Sequence, residues 1–225
     1  MVSRKLMGTW AVLDFLLLAA GAVLLALSIV WRAENTLMNM VLTPAYLTSG
    51  TILGISLLVT FAISIAAIVQ KNHVTLGLVL LNYTLLLDAI GIVVIGTFVW
   101  FFTLQERENF HVRWLNASRE TRIILQDQLK CCGYFNGTDL VEIGGTFCQN
   151  QDFVAGLQAN ETSNFCVTPI TAYADSTLNN VFTTIYGFMA VVLCLLLASL
   201  CVIKKRQEDE RFKKIDAKRG GRGFV

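Results

Sequence analysis

Long uninterrupted runs of apolar residues divide this chain into four hydrophobic blocks separated by polar segments. The blocks cover residues 10–31, 46–69, 74–102 and 181–203. About 20 helical residues are enough to cross a bilayer core of about 30 Å, so each block can span it. Lipid offers the backbone no hydrogen-bond partners, so a crossing segment of this kind has to be helical. The pattern predicts an all-α membrane protein with four transmembrane helices.

The polar segments complete the predicted domain organisation. They are an N-terminus (1–9), a small loop (32–45), a turn (70–73), a large loop (103–180) and a tail (204–225). Charged residues make up 15% of the chain, less than the about 25% of soluble domains. The first block could alternatively be a cleaved signal peptide, but it is longer than the about 7–15 apolar residues of a signal core.

Basic residues predict the orientation of the chain. The N-terminus, the turn and the tail carry most of the 18 Lys and Arg residues, whereas the two loops carry most of the 16 acidic ones. Cytoplasmic segments of membrane proteins are enriched in Lys and Arg. We therefore expect these three segments in the cytoplasm and both loops on the extracellular or luminal side.

Four of the six cysteines lie in the large loop, at Cys131, Cys132, Cys148 and Cys166. Adjacent cysteines seldom bond each other, because the backbone between them would be strained. Cys131 and Cys132 are therefore each expected to bond one of the other two, which leaves two pairings open. Disulfides form in oxidising compartments, which agrees with an extracellular or luminal loop.

The composition of the large loop changes along its length. Residues 103–130 lack Pro and Gly and place apolar residues at helical spacings, which predicts that span three continues outward and is followed by a second helix ending near Gly133. Residues 134–165 are rich in Gly, Asn, Thr and Gln, which predicts a lobe of turns held by the disulfides. The loop is thus expected to be mainly helical and stabilised by disulfides.

Three polar residues, Asp14, Asn82 and Asp88, lie inside predicted spans. Such groups are costly in lipid and usually face the interior of a helix bundle. Asp14 and Asn82 lie at similar depths, so a hydrogen bond between them is expected, whereas Asp88 has no evident basic partner and should be protonated or solvated. Adhesion between helices explains these residues more simply than a proton or cation path.

Two kinds of modification site are predicted. Asn116, Asn136 and Asn160 begin Asn-x-Ser/Thr sequons in the large loop, so they are candidates for N-glycosylation. Cys201 lies at the cytoplasmic end of span four, where S-palmitoylation is chemically accessible.

The four spans, the small first loop and the Cys131-Cys132-Gly133 motif in a large second loop resemble the tetraspanin family, most closely those of filamentous fungi. The resemblance implies the nested pairing Cys131–Cys166 and Cys132–Cys148, and it strengthens the prediction of palmitoylation. Two features depart from the family pattern: Gly144-Gly145-Thr146-Phe147 precede Cys148 where many members have a proline, and span four lacks an acidic or amide residue.

The sequence offers little for catalysis. It contains two histidines and none of the common metalloprotease, hydrolase or phosphate-binding motifs. The loop cysteines lack zinc-site spacing, so neither a metal nor another cofactor is expected.

We therefore predict a non-enzymatic membrane organiser that binds other integral membrane proteins and lipids, including sterol, and can self-associate. The resemblance extends this role to infection-cell morphogenesis and host penetration in a fungus. The expected location is the plasma membrane, with endosomal or vacuolar membranes as alternatives. The alternative function is a proton- or cation-conducting transporter that uses Asp14 and Asp88.

Overall fold

The computed structural model describes residues 4–33, 35–69, 76–157, 161 and 164–218. These residues form helices and connecting turns, without a strand. The helices are α1 (Arg4–Val30), α2 (Thr36–Val41), α3 (Pro44–Val69), α4 (Leu76–Leu104), α5 (Glu106–Asn116), α6 (Arg119–Leu129), α7 (Gln151–Ala155) and α8 (Val167–Lys218).

Helices α1, α3, α4 and α8 are long and apolar enough to cross a membrane. This confirms the prediction of a multi-pass helical membrane protein. Helix α8 begins before and ends after the predicted span 181–203. The residues on both sides of that span can continue a helix. The proline there, Pro169, lies in the first turn of α8, where a missing backbone N–H is tolerated. The predicted turn at 70–73 lies outside the described residues.

The chain forms two compact units. The bundle unit comprises Met1–Leu27, Ser49–Val94 and Ile185–Val225, and the loop unit comprises Ser28–Thr48 and Ile95–Thr184.

Within the bundle unit, α1 and α3 approach closely at two glycines. A Cβ added to Gly54 would lie 2.9 Å from Leu25 Cγ and 3.2 Å from the Gly21 carbonyl oxygen. A Cβ at Gly21 would lie 2.9 Å from Leu58 Cδ2. Small residues allow this backbone proximity, which is a common way for helices to associate in lipid.

The loop unit has an apolar core of its own. Its largest fully buried side chains include Phe110 and Trp114 of α5, Leu125 of α6, and Tyr134. The predicted helices of residues 103–130 are present, with a break at Gln105 between α4 and α5 and a second break before α6. Ser118 caps α6 by accepting a hydrogen bond from the Thr121 N–H at 3.2 Å.

Candidate functional site

The loop unit contains two disulfides, Cys131–Cys166 and Cys132–Cys148. This is the nested pairing that the family resemblance implies. Cys131 and Cys166 belong to the large apolar core, whereas Cys132 and Cys148 form a small cluster with Val154. The adjacent residues Cys131 and Cys132 therefore cross-link two different apolar clusters. The Cys132–Cys148 disulfide joins the turn-rich lobe (residues 134–157) to the end of α6, and the Cys131–Cys166 disulfide joins the end of α6 to the start of α8.

The glycine of the Cys-Cys-Gly motif is required by the backbone. Gly133 has φ +74°, which L side chains rarely adopt, and a Cβ there would collide with the Asn136 carbonyl oxygen. The same turn is tied to the start of α8, since the Cys166 N–H donates to the Gly133 carbonyl at 2.9 Å. The motif thus sets the position of the lobe as well as its cross-links.

Two neighbouring polar residues on α6 hold the lobe, and sequence reasoning did not identify them. Gln126 is buried, and its Nε2 donates to Cys148 Sγ at 3.1 Å while its Oε1 accepts from the Glu142 N–H at 3.1 Å. The carboxylate of Asp127 accepts from the backbone N–H groups of Thr146 and Phe147 at 2.9 and 2.8 Å. These bonds hold the pKa of Asp127 below its ordinary value.

An ion pair also joins α6 to the lobe. Arg122 of α6 contacts Glu142 Oε1 through Nε at 3.0 Å and through Nη2 at 2.7 Å. Both side chains are mostly buried, so the pair is less screened by solvent than one on an open surface. Several Glu and Arg residues lie in α6 and the lobe, and the sequence alone does not indicate which of them form a pair.

Arg113 fixes the small loop to the large one. Its Nη1 donates to the Met40 and Val41 carbonyls at the end of α2, at 2.6 and 2.9 Å. Its guanidinium also lies 4.5 Å from the centre of the Phe102 ring, a favourable cation–π distance. These carbonyls are the ones that a helix end leaves without intrahelical partners.

A pair of carboxyl groups links α5 to α8 within the loop unit. Glu106, the first residue of α5, and Asp175 of α8 lie close enough for their charges to interact. Burial, followed by the charge of Asp175 and a hydrogen bond with it, raises the pKa of Glu106 to about 7, and the charge of Arg107 partly opposes the shift. The contact is therefore sensitive to pH near neutrality.

The lobe exposes large apolar side chains. Phe135, Leu140 and Phe153 are 36%, 40% and 42% exposed. Phe153 packs its ring edge against Phe147 at a centroid separation of 5.6 Å, so its position is defined. Exposed apolar residues on a lobe that is anchored by a disulfide and by α6 are suited to contact with another protein.

The predicted glycosylation sites differ in their surroundings. Asn116 is exposed at the end of α5, where its Nδ2 donates to the Val112 carbonyl at 2.9 Å. Asn136 is exposed in the lobe, and its Oδ1 accepts from the Thr138 hydroxyl at 2.7 Å. Asn160 lies outside the described residues. The predicted palmitoylation site, Cys201, is a free, exposed cysteine on α8.

One carboxyl group of the bundle unit is bonded to hydroxyl groups of a neighbouring span. Asp88 is buried and accepts hydrogen bonds from two hydroxyls of α3, that of Ser56 and that of Thr60 at 2.6 Å. These partners are hydroxyls one helical turn apart on the neighbouring span and not basic groups, so the expectation that Asp88 has no evident basic partner is not contradicted.

The predicted hydrogen bond between Asp14 and Asn82 is absent. The carboxyl group of Asp14 instead lies beside the Ser64 hydroxyl of α3. Among the described residues, Asp14 Oδ1 and Asn82 Oδ1 have no hydrogen-bond partner. Matching depth on parallel helices was therefore insufficient to predict contact, since Asp14 interacts with Ser64 of α3.

Comparisons with protein-family models, with curated proteins and with solved structures found no match for this chain.

Proposed function

We propose that this protein is a non-enzymatic membrane organiser of the tetraspanin type, which binds other membrane proteins laterally through its spans and its large loop. The observation that carries this proposal is the lobe within the segment that two nested disulfides close, with Phe135, Leu140 and Phe153 exposed on it. A surface of this kind should lose less conformational freedom when it binds a partner, because disulfides restrict its backbone.

The two loops lie on the extracellular or luminal side in this proposal. The disulfides and the positive-inside distribution of Lys and Arg support that side. This orientation places the glycosylation sites that we propose, Asn116, Asn136 and Asn160, outside the cell or in the lumen. It places the proposed palmitoylation site, Cys201, at the cytoplasmic face. The plasma membrane is the proposed location, and partners include integral membrane proteins and membrane lipids.

The resemblance to fungal tetraspanins supports a more specific role in infection-cell morphogenesis and host penetration. Both oxygens of Asp88 accept hydrogen bonds from hydroxyls within the bundle, which supports a structural role for this residue over a conducting one. Hydrogen bonds between helices stabilise helix packing in lipid, so the position of Asp88 can be explained without a conducting path.

Co-purification from mild detergent tests the proposal. The wild-type chain should recover other membrane proteins, and Phe153→Ser should recover fewer while the protein still reaches the cell surface. Val112→Ser is a matched control, because Val112 is an exposed apolar residue of α5, outside the lobe. Equal recovery from wild type and Phe153→Ser would exclude Phe153 from the interaction surface. Recovery of no partner by wild type, together with current in liposomes, would favour the transport alternative.

A further inference from the structure

A cleft of about 640 Å³ lies within the loop unit, between the small loop and helices α5 and α6. Its volume falls in the range of about 300–1,000 Å³ that is typical of ligand sites in proteins. Arg113 of α5 is the one charged residue among the described residues that line it. The polar groups around this charge are neutral amides and hydroxyls, which come from Asn35, Thr36, Asn39, Thr43, Asn116 and Thr121.

Arg113 has hydrogen-bond donors and a charge to spare. Its Nη1 donates to two carbonyls at the end of α2, and its guanidinium lies over the Phe102 ring. Among the described residues, its Nε and Nη2 have no acceptor and no carboxyl group pairs with it. Burial lowers the pKa of the guanidinium below its ordinary value, because its charge is poorly solvated. An anion in the cleft would neutralise this charge and accept hydrogen bonds from the remaining donors.

Helix lengths place the cleft at the level of the lipid headgroups. Helix α3 has 26 residues and is therefore about 39 Å long, whereas a bilayer with its headgroups is about 40–45 Å thick. The first turn of α3 consequently lies among the headgroups, and Thr43, which lines the cleft, directly precedes it. Phe102, which Arg113 contacts, lies in the last turn of α4. A headgroup of the adjacent leaflet can therefore reach Arg113.

The chemistry of the lining selects among headgroups. Phosphate is the anionic group that phospholipids share, and a guanidinium binds it through two parallel hydrogen bonds. The surrounding amides and hydroxyls can form hydrogen bonds with a headgroup that carries hydroxyl groups. An ammonium group would find no counter-charge, because none of the described residues that line the cleft is acidic. These features favour phosphatidylinositol or phosphatidylglycerol over lipids that contain choline, ethanolamine or serine.

We propose that this cleft binds an anionic phospholipid whose headgroup carries hydroxyl groups, with Arg113 on the phosphate and the amides and hydroxyls of the lining on the headgroup. The bound lipid would hold the end of α2 and helix α5 at the membrane surface. This role goes beyond the organiser function and does not depend on it, because the proposed partner surface of the organiser is the lobe.

Thermal unfolding of the full chain in detergent micelles that contain either phosphatidylinositol or phosphatidylserine tests this site. The two lipids have the same net charge, but phosphatidylserine carries an ammonium group. The unfolding midpoint should be higher with phosphatidylinositol, because a ligand that binds the folded state stabilises it. All proteins carry Asn116→Gln, which removes the glycan acceptor from the cleft and keeps an amide. Arg113→Gln should weaken phosphatidylinositol binding about tenfold or more, whereas Arg107→Gln, at an exposed arginine of the same helix outside the cleft, should not.

A second pair of variants tests the cleft without disturbing the bonds between Arg113 and α2. Asn39→Asp places a negative charge in the cleft at an exposed position and should abolish the advantage of phosphatidylinositol. Asn179→Asp adds the same charge at an exposed position of α8 outside the cleft and should retain it.

Two results would overturn the proposal at once: equal midpoints in the two lipids, or an advantage of phosphatidylinositol that survives both Arg113→Gln and Asn39→Asp. An equal rise of the midpoint with soluble inorganic phosphate would also overturn it, because the cleft would then bind a free anion and not a lipid.

Discussion

Replacement of Glu106 by Gln tests the carboxyl pair between α5 and α8. The pKa of Glu106 in the folded protein is about 7, above its ordinary value of 4.5. Between these values the folded chain keeps a proton that the unfolded chain releases. The free energy of unfolding should therefore be highest below pH 4.5 and fall as the pH rises toward 7, where the contribution is lost. Gln cannot ionise, so Glu106→Gln should not show this loss.

The size of the effect follows from the two pKa values. Their difference corresponds to about 3 kcal/mol if it is expressed in full. Glu106 is half-buried, and solvent screening reduces the expected effect to about 1–2 kcal/mol. For a chain of this length that is a shift of about 2–8 °C in the midpoint of thermal unfolding.

The assay follows unfolding of the detergent-solubilised full chain by tryptophan fluorescence, from pH 4.5 to 8. The stability difference between Glu106→Gln and wild type isolates Glu106, since other titrating groups contribute to both proteins. This difference should grow in favour of Glu106→Gln as the pH rises. Glu108→Gln, a change at an exposed residue of the same helix, should show no such trend. A difference that stays constant with pH would refute the assignment.

Three further changes probe other contacts. Gly54→Leu should lower the unfolding midpoint and weaken the α1–α3 contact, because overpacking costs about 1–3 kcal/mol; cysteine cross-linking between these helices would measure it. Asp88→Leu should destabilise the bundle by about 1–3 kcal/mol more than Asp88→Asn, because it leaves the Ser56 and Thr60 hydroxyls unpaired; unfolding in denaturing detergent would compare them. Cys132→Ser should remove about 3 kcal/mol by opening a loop of 16 residues, and surface labelling should find the protein retained inside the cell.

The sequence predicted the main helices well, because length and apolar composition determine whether a helix can cross lipid. The cysteine motif and the helix signals before it also located the cross-linked part of the large loop. The predicted span 181–203 does not give the ends of α8, since apolar composition marks where a helix meets lipid and not where the helix begins or ends. Val167 and Lys218 lie in segments that are helical but more polar than the span itself.

The side-chain contacts could not be predicted in the same way. Arg113 bonds to carbonyls more than seventy positions earlier in the chain, and no local pattern indicates such a partner. Gln126 resembled any other polar residue of a helix until its position beside Cys148 was known. Asp14 and Asn82 were matched by depth, but the rotation of each helix decides which groups meet, and the glycine contacts of α1 and α3 determine that rotation here.

The most direct test of the organiser account is photo-crosslinking in intact cells with a photoreactive phenylalanine at position 153. That side chain is 42% exposed on the lobe, so the account predicts covalent adducts with other membrane proteins. The same probe at position 112, on the exposed face of α5, serves as the control and should give fewer adducts. Absence of adducts from position 153, in protein that reaches the cell surface with its disulfides intact, would contradict the claim that the lobe binds partners.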